Sequence, residues 1–219
     1  MIVLDIESSG IHTGKCGIWQ IGAFEFENLE NKFLQESKID DEDLVHEGAL
    51  KVTGKTEKEL RDENKQTQKE LISNYLSWAK KCKNKLIIGH NIGWDLNFIQ
   101  NKCLDYGLMK EFREAGGQRG IDTHVIAQKK YFEIHGEYLL QENGKSNMNL
   151  SNVLKFCGIP DLRIKVEETG ERDIIKKQGS SHNALEDCKL TAEAFSRLVY
   201  RKNLFPEYSK FEIPRVLKK

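Results

Sequence analysis

Residues 2–7 read Ile2-Val3-Leu4-Asp5-Ile6-Glu7, and this stretch decides how the rest of the chain is read. Side chains alternate faces along a strand, so Asp5 and Glu7 point the same way. The surrounding Ile, Val and Leu mark a strand buried on both sides, as at the centre of an α/β sheet. Two like charges on a buried face are costly unless something cationic neutralises them. A divalent metal ion would do so, and the remaining ligands must then come from elsewhere in the chain.

The 219 residues fit one α/β domain with modest insertions and are enough for a sizeable core. Thirty-four basic residues balance 34 acidic ones, which argues against a nucleic-acid binder working mainly by counterion release. A metal centre and local patches can still hold phosphates. Five cysteines (16, 82, 103, 157 and 188) form no CxxC pair and read as reduced, packed thiols. No secretory signal precedes the first strand, and no apolar run reaches the roughly 20 residues that span a bilayer. The expectation is a soluble cytoplasmic protein without a membrane contact.

Outward from the first strand, Gly10–Gly14 marks a turn, and a second strand near 17–27 pairs with a third near 32–39 as a hairpin. Asp40, Asp41 and Asp43 are expected to open a short helix near 41–52. A longer amphipathic helix covers about 66–83, and Lys85–Gly89 is a fourth strand followed by a helix over 93–107. A short strand near 119–122, a helix over 123–132 and a loop over 133–148 come next. A helix near 149–157, a charged hairpin or loop over 161–180 and a long helix over 183–202 complete the pattern. A hairpin start followed by alternating helices and strands predicts a mixed sheet with helices on its faces. The stretch Arg201–Lys219 has six basic and two acidic residues; it reads as a solvated tail, with strand guidance or partner docking as alternatives.

Two further acids sit where charge is unfavourable. Ile92, Asp95, Leu96, Ile99, Cys103 and Tyr106 share one helical stripe, as do Ala184, Asp187, Cys188, Thr191, Phe195 and Leu198. A lone core-facing Asp is often a cap or the partner of a buried Arg. Two of them together with the Asp5/Glu7 pair point to a shared cation. His182 stands at the entrance of the last helix, where the dipole disfavours the imidazolium and leaves a neutral base. A capping or solvated His is the bland alternative.

Asp5-x-Glu7, Gly89-His90-Asn91-x3-Asp95 and His182-x4-Asp187 together resemble the three motifs of the DEDDh, or DnaQ-like, 3′–5′ exonucleases, which include proofreading subunits and ribonuclease T. Ile18–Ala23, Ala49–Gly54, Ile121-Asp122-Thr123 and Asn149–Leu154 resemble the family's intermotif landmarks, so the resemblance covers about residues 1–200. The chain departs from it with Ser8-Ser9-Gly10 for the usual Thr-Thr-Gly, which keeps a hydroxyl at each position, and with Trp94 before the middle aspartate. Asn183 replaces the Tyr of DEDDy relatives.

The resemblance implies an RNase H-like fold with a mixed, mostly five-stranded sheet over residues 1–203, followed by a basic tail at 204–219. It implies two Mg²⁺ ions, replaceable by Mn²⁺, held by Asp5, Glu7, Asp95 and Asp187, with His182 as general base. It implies hydrolysis at single-stranded or frayed 3′ ends of DNA or RNA, releasing nucleoside 5′-monophosphates, and is compatible with a polymerase partner. Ser8, Ser9, Gly10, Val52, Thr53 and Asn91 would contact the terminal nucleotide, with simple core packing as the alternative for Val52. The rival readings are a silent scaffold that binds nucleic acid and an endonuclease of the same fold.

Overall fold

The computed structural model describes residues 1–161, 163 and 183–218. Its centre is the strand β1 (Ile2–Ser8), flanked by an antiparallel hairpin of β2 (Ile18–Glu25) and β3 (Asn28–Glu36). Downstream come α1 (Glu47–Thr53), α2 (Glu57–Leu60) and α3 (Gln68–Lys81). The strand β4 (Ile87–Gly89) then runs parallel to β1, and α4 (Ile92–Asp105) and α5 (Met109–Glu114) lead to β5 (Gly120–Asp122), parallel to β4. After α6 (Thr123–His135) and α7 (Leu150–Phe156), α8 (Ala184–Phe195) returns to the sheet. The sheet order is β3-β2-β1-β4-β5, a mixed five-stranded sheet flanked by helices, as the sequence predicts.

Alternation along β1 assigns its two faces. Ile2, Leu4 and Ile6 pack with Leu71, Ile72 and Tyr75 of α3 and with Leu96 and Ile99 of α4. Val3 lies on the opposite face, with Cys188, Ala192 and Phe195 of α8. Asp5 and Glu7 follow Val3, so the acid pair faces the layer that carries Asp187. Local chemistry fixes the helix starts: Thr67 with Glu70 and Thr56 with Glu59 form reciprocal capping boxes.

Several elements differ from the sequence reading, each for a local reason. The helix expected near 41–52 begins only at Glu47, because Asp43 is withdrawn into the core. Its carboxylate pairs with Lys102 of α4, accepts a hydrogen bond from Gln68 at 2.8 Å and caps the backbone of Asp40 at 3.0 Å. The third strand starts four residues earlier than expected, and α6 runs three residues further, to a left-handed Gly136. The short helices α2 and α5 carry too few residues for a periodic signal. The long last helix leaves α-geometry at Ser196 and continues as a π-segment, Ser196–Tyr200. Most of the charged stretch 161–180 lies outside the described residues.

The C-terminal stretch is not a solvated tail. Tyr208, Ile213 and Leu217 join a second core with Met148, Val153, Leu154, Leu190 and Ala194. An ion pair between α8 and the π-segment that continues it clamps this stretch: Glu193 and Arg197 are fully buried and bonded at 2.8 Å. Arg197 also donates to the carbonyls of Cys157, Gly158, Tyr208 and Phe211, and Glu193 accepts from the N–H groups of Leu204 and Phe205. All these partners satisfy groups that burial would otherwise leave costly. Removing one member should be severe. Arg197→Ala is expected to lower stability by about 3–5 kcal/mol in urea unfolding, with early proteolysis within 204–217.

Candidate active site

β1 outruns its parallel neighbour. β4 pairs only with Ile2 and Val3, which leaves the β1 edge open at Ile6. Asp95, in the first turn of α4, fills that opening, and the Ile6 N–H donates to its Oδ1 at 3.1 Å. The turn into α4 depends on Asn91, which holds a left-handed conformation (φ 60°) that Asn tolerates better than most residues. The Asn91 N–H donates to Asp122 Oδ1 at 2.9 Å, at the end of β5.

On the other face, α8 reaches the acid pair because β2 lets it approach. Gly22 stands beside Asp5 in the antiparallel register. A Cβ there would lie 2.5 Å from the Ala184 carbonyl carbon, so only glycine admits the helix. Gln20, beside Glu7, accepts from the Ala184 N–H at 2.8 Å and donates to Glu36 at 3.0 Å, which ties the helix start to the sheet. The Asn183 side chain caps the helix by accepting from the Leu185 N–H. Asp187 then falls in the first turn, where the dipole favours an anion.

The result is a cluster in which Asp5, Glu7 and Asp187 each bring one carboxylate oxygen within 4.8 Å of the others. Asp95 is 4% exposed and close enough to act electrostatically on Asp5, but it is not part of that 4.8 Å group. Burial, then Asp95, Asp187 and Glu7, pushes Asp5 well above the usual carboxylate range, while Arg163 works the other way. Burial pushes Asp95 up to about 8, against the hydrogen bond from Ile6. Hard oxygen donors gathered at this spacing fit a divalent cation, which would remove both penalties. His90, on the same rim, is pushed down to about 4 chiefly by burial and bonds through Nδ1 to Thr123 Oγ1 at 3.2 Å. Cys188 donates its S–H to the Gly22 carbonyl at 3.2 Å, and burial raises its pKa well above the ordinary value.

The other sequence-derived candidates divide. Ser8 is buried and donates to the Gly10 carbonyl at 2.7 Å. Ser9 is fully buried, donates to Leu44 O and accepts from the Gly17 N–H, so its hydroxyl is committed to holding the turn. Thr53 is buried and bonds back to Ala49 within α1. Val52 is 46% exposed, which removes the core-packing alternative, and Asn91 is exposed. His182 lies outside the described residues, as do Gly179, Ser180 and Ser181. Arg163, which no sequence motif marks, bonds to Asp187 Oδ1 at 3.0 Å. It sits in a charge-rich stretch with no periodicity, so no sequence signal separates it from its neighbours.

A mixed sheet with acids from its first strand, its fourth-strand helix and its last helix defines a nuclease-type carboxylate centre. The family profile of RNase T, described as an exonuclease, matches residues 2–155, and the chain belongs to this exonuclease family. The resemblance to the DEDDh 3′–5′ exonucleases read from the motifs therefore stands. The PolC-type DNA polymerase III of Caldanaerobacter subterraneus subsp. tengcongensis is 23% identical over 216 residues, which is 99% of this chain and 13% of that protein. Escherichia coli exonuclease I in complex with a dT13 oligonucleotide superposes with a TM-score of 0.64 at 17% identity, over 90% of this chain and 40% of that one. Its zinc-bound complex with single-stranded DNA gives 0.65 at 20% identity, over 91% and 40%. The chain thus spans less than half the length of each of these relatives. Among the described residues, no helix is long and apolar enough to cross a membrane.

Two outcomes check this geometry. A carboxyl whose folded-state pKa stands above its unfolded value keeps a proton that the unfolded chain has released. From about pH 4 to pH 8 Asp95 therefore withdraws stability as pH rises, while His90, held low by burial, works the other way up to about pH 6.5. Asp95→Asn should flatten that slope, raising the unfolding midpoint in EDTA at pH 8 by a few degrees and leaving it nearly unchanged at pH 4. Gly22→Val should push α8 from the sheet and weaken Mn²⁺ binding, read by calorimetry, by about tenfold or more.

Proposed function

We propose that this chain hydrolyses phosphodiester bonds stepwise from the 3′ end of single-stranded or frayed nucleic acid, releasing nucleoside 5′-monophosphates. The observation that carries this reading is the convergence of Asp5, Glu7 and Asp187 within 4.8 Å, on elements that only the folded sheet brings together. Asp5, Glu7, Asp95 and Asp187 are the residues that would hold two Mg²⁺ ions, with Mn²⁺ able to substitute. Such ions, when bound, neutralise charge on the phosphate and lower the pKa of an attacking water. His182 takes a proton from that water as its oxygen bonds to phosphorus, the P–O bond to the leaving 3′-oxygen breaks, and that oxygen takes a proton from solvent.

Around this centre, Ser8, Gly10 and the exposed Val52 and Asn91 offer contacts to the terminal sugar and base. Ser9 and Thr53 act indirectly by fixing the loop and helix that carry them. DNA is the favoured substrate, given the oligonucleotide complexes of exonuclease I and the polymerase setting of the PolC-type relative. That setting also makes a polymerase the partner to test first. A silent scaffold is disfavoured by the retention of every acid at the centre.

The test uses a 5′-labelled single strand with Mg²⁺. A ladder shortening by one nucleotide at a time, blocked by a 3′-terminal cap, is expected. Asp5→Ala and His182→Ala should each reduce the rate by about three orders of magnitude or more. Binding without shortening in either metal would support the scaffold, and internal cleavage of the capped strand an endonuclease. Matched DNA and RNA strands run side by side decide the sugar preference.

A further inference from the structure

Arg163 is built into the acidic centre from outside the motifs. Its guanidinium grips Asp161 with two parallel bonds, Nε to Oδ1 at 2.8 Å and Nη2 to Oδ2 at 2.8 Å. Ser151, at the start of α7, donates its hydroxyl to the same Asp161 Oδ2 at 2.7 Å and accepts from Nη2 at 3.4 Å. The remaining arm, Nη1, reaches across to Asp187 Oδ1 at 3.0 Å. The three side chains are well shielded, at 19% exposure for Arg163, 10% for Asp161 and 9% for Asp187. This is no loose surface bridge. The bidentate anchor fixes the fork, and Ser151 fixes the anchor.

A guanidinium keeps its charge at any pH the protein will meet. Here it bonds a carboxylate that also belongs to the Asp5/Glu7/Asp187 cluster. It is therefore a permanent cation beside a site suited to a divalent cation. Resting on the metal-site reading above, we propose that Arg163 is a positioning residue that acts as a resident counter-cation. It neutralises part of the acidic cluster before metal enters and must share Asp187 with the incoming ion, and so it weakens and gates metal loading.

Two effects of losing Arg163 oppose each other. An outer partner that orients a ligand typically contributes 10–100-fold to metal affinity, which its loss would forfeit. Repulsion between a guanidinium and a doubly charged ion acts in the other direction, is doubled by the ion's charge, and is strengthened by the low local exposure. Asp187 is also oriented independently, by the first turn of α8 and the tie from Gln20 to the helix start. Repulsion therefore dominates.

Calorimetric titration of the metal-free full chain with Mn²⁺, without nucleic acid, tests this. Arg163→Gln should bind Mn²⁺ about tenfold or more tightly than wild type. Arg163→Lys keeps the charge but loses the fork, and it should stay within about threefold of wild type. The Mg²⁺ concentration giving half-maximal nuclease rate should fall in parallel for Arg163→Gln alone. If Arg163→Gln fails to fold, Arg163→Met, which keeps the apolar stem and removes the charge, takes its place. Unchanged or weaker Mn²⁺ binding in the neutral variant, or a lysine variant that behaves like the neutral one, overturns the proposal. Absence of metal binding by the wild-type chain would instead overturn the metal-site reading, so the two failures are distinguishable.

Discussion

The structure depends on the repulsion among carboxylates that the fold itself gathers around β1. Asp5 and Glu7 come from the strand, Asp95 from one layer and Asp187 from the other. Burial and then Asp95 oppose the ionisation of Asp5, while burial and then Glu7 and Asp122 oppose that of Asp95. Such a centre is unfavourable for folding and favourable for cation capture. The surrounding structure must hold it against that repulsion. The Ile6 N–H at Asp95, the Gln20 tie at Ala184 and the close passage at Gly22 all serve this end.

The second core has a related role. α8 carries Asp187 near its start and Glu193 near its end, where Glu193 pairs with Arg197 of the π-segment. The pair binds six backbone groups, so α8 is fixed at both ends between the sheet and the C-terminal stretch. A helix held only by its apolar stripe would have freedom to slide along the sheet. Hydrogen bonds at both ends restrict that movement, and with it the spread of Asp187 positions relative to β1.

Much of this was legible in the sequence, for identifiable reasons. Alternation placed Asp5 and Glu7 on one face, and helical spacing placed Asp95 and Asp187 on apolar stripes; those periodicities survive folding because the core enforces them. Helical spacing does not reach Glu193 and Arg197, which lie off the Asp187 stripe yet are fully buried. Asp43 resembles a helix start in sequence because its true partner, Lys102, is 59 residues away. The bond from Arg163 to Asp187 is equally out of reach, at 24 residues. Pattern reading sees partners three or four residues apart, and these pairings are set by tertiary structure. The hydroxyls of Ser9 and Thr53 show the complementary limit, since only the fold reveals that they are already committed to the backbone.

Cys188 sits next to Asp187, where a reactive sulfur would be a liability. Its S–H is occupied by the Gly22 carbonyl, and burial among acids keeps it protonated. A thiol that does not ionise is a poor ligand for thiophilic metals and a poor nucleophile toward peroxides. The same glycine that admits the helix thus silences its sulfur. The acid cluster offers hard oxygen donors, and the thiol beside Asp187 is shielded from oxidation.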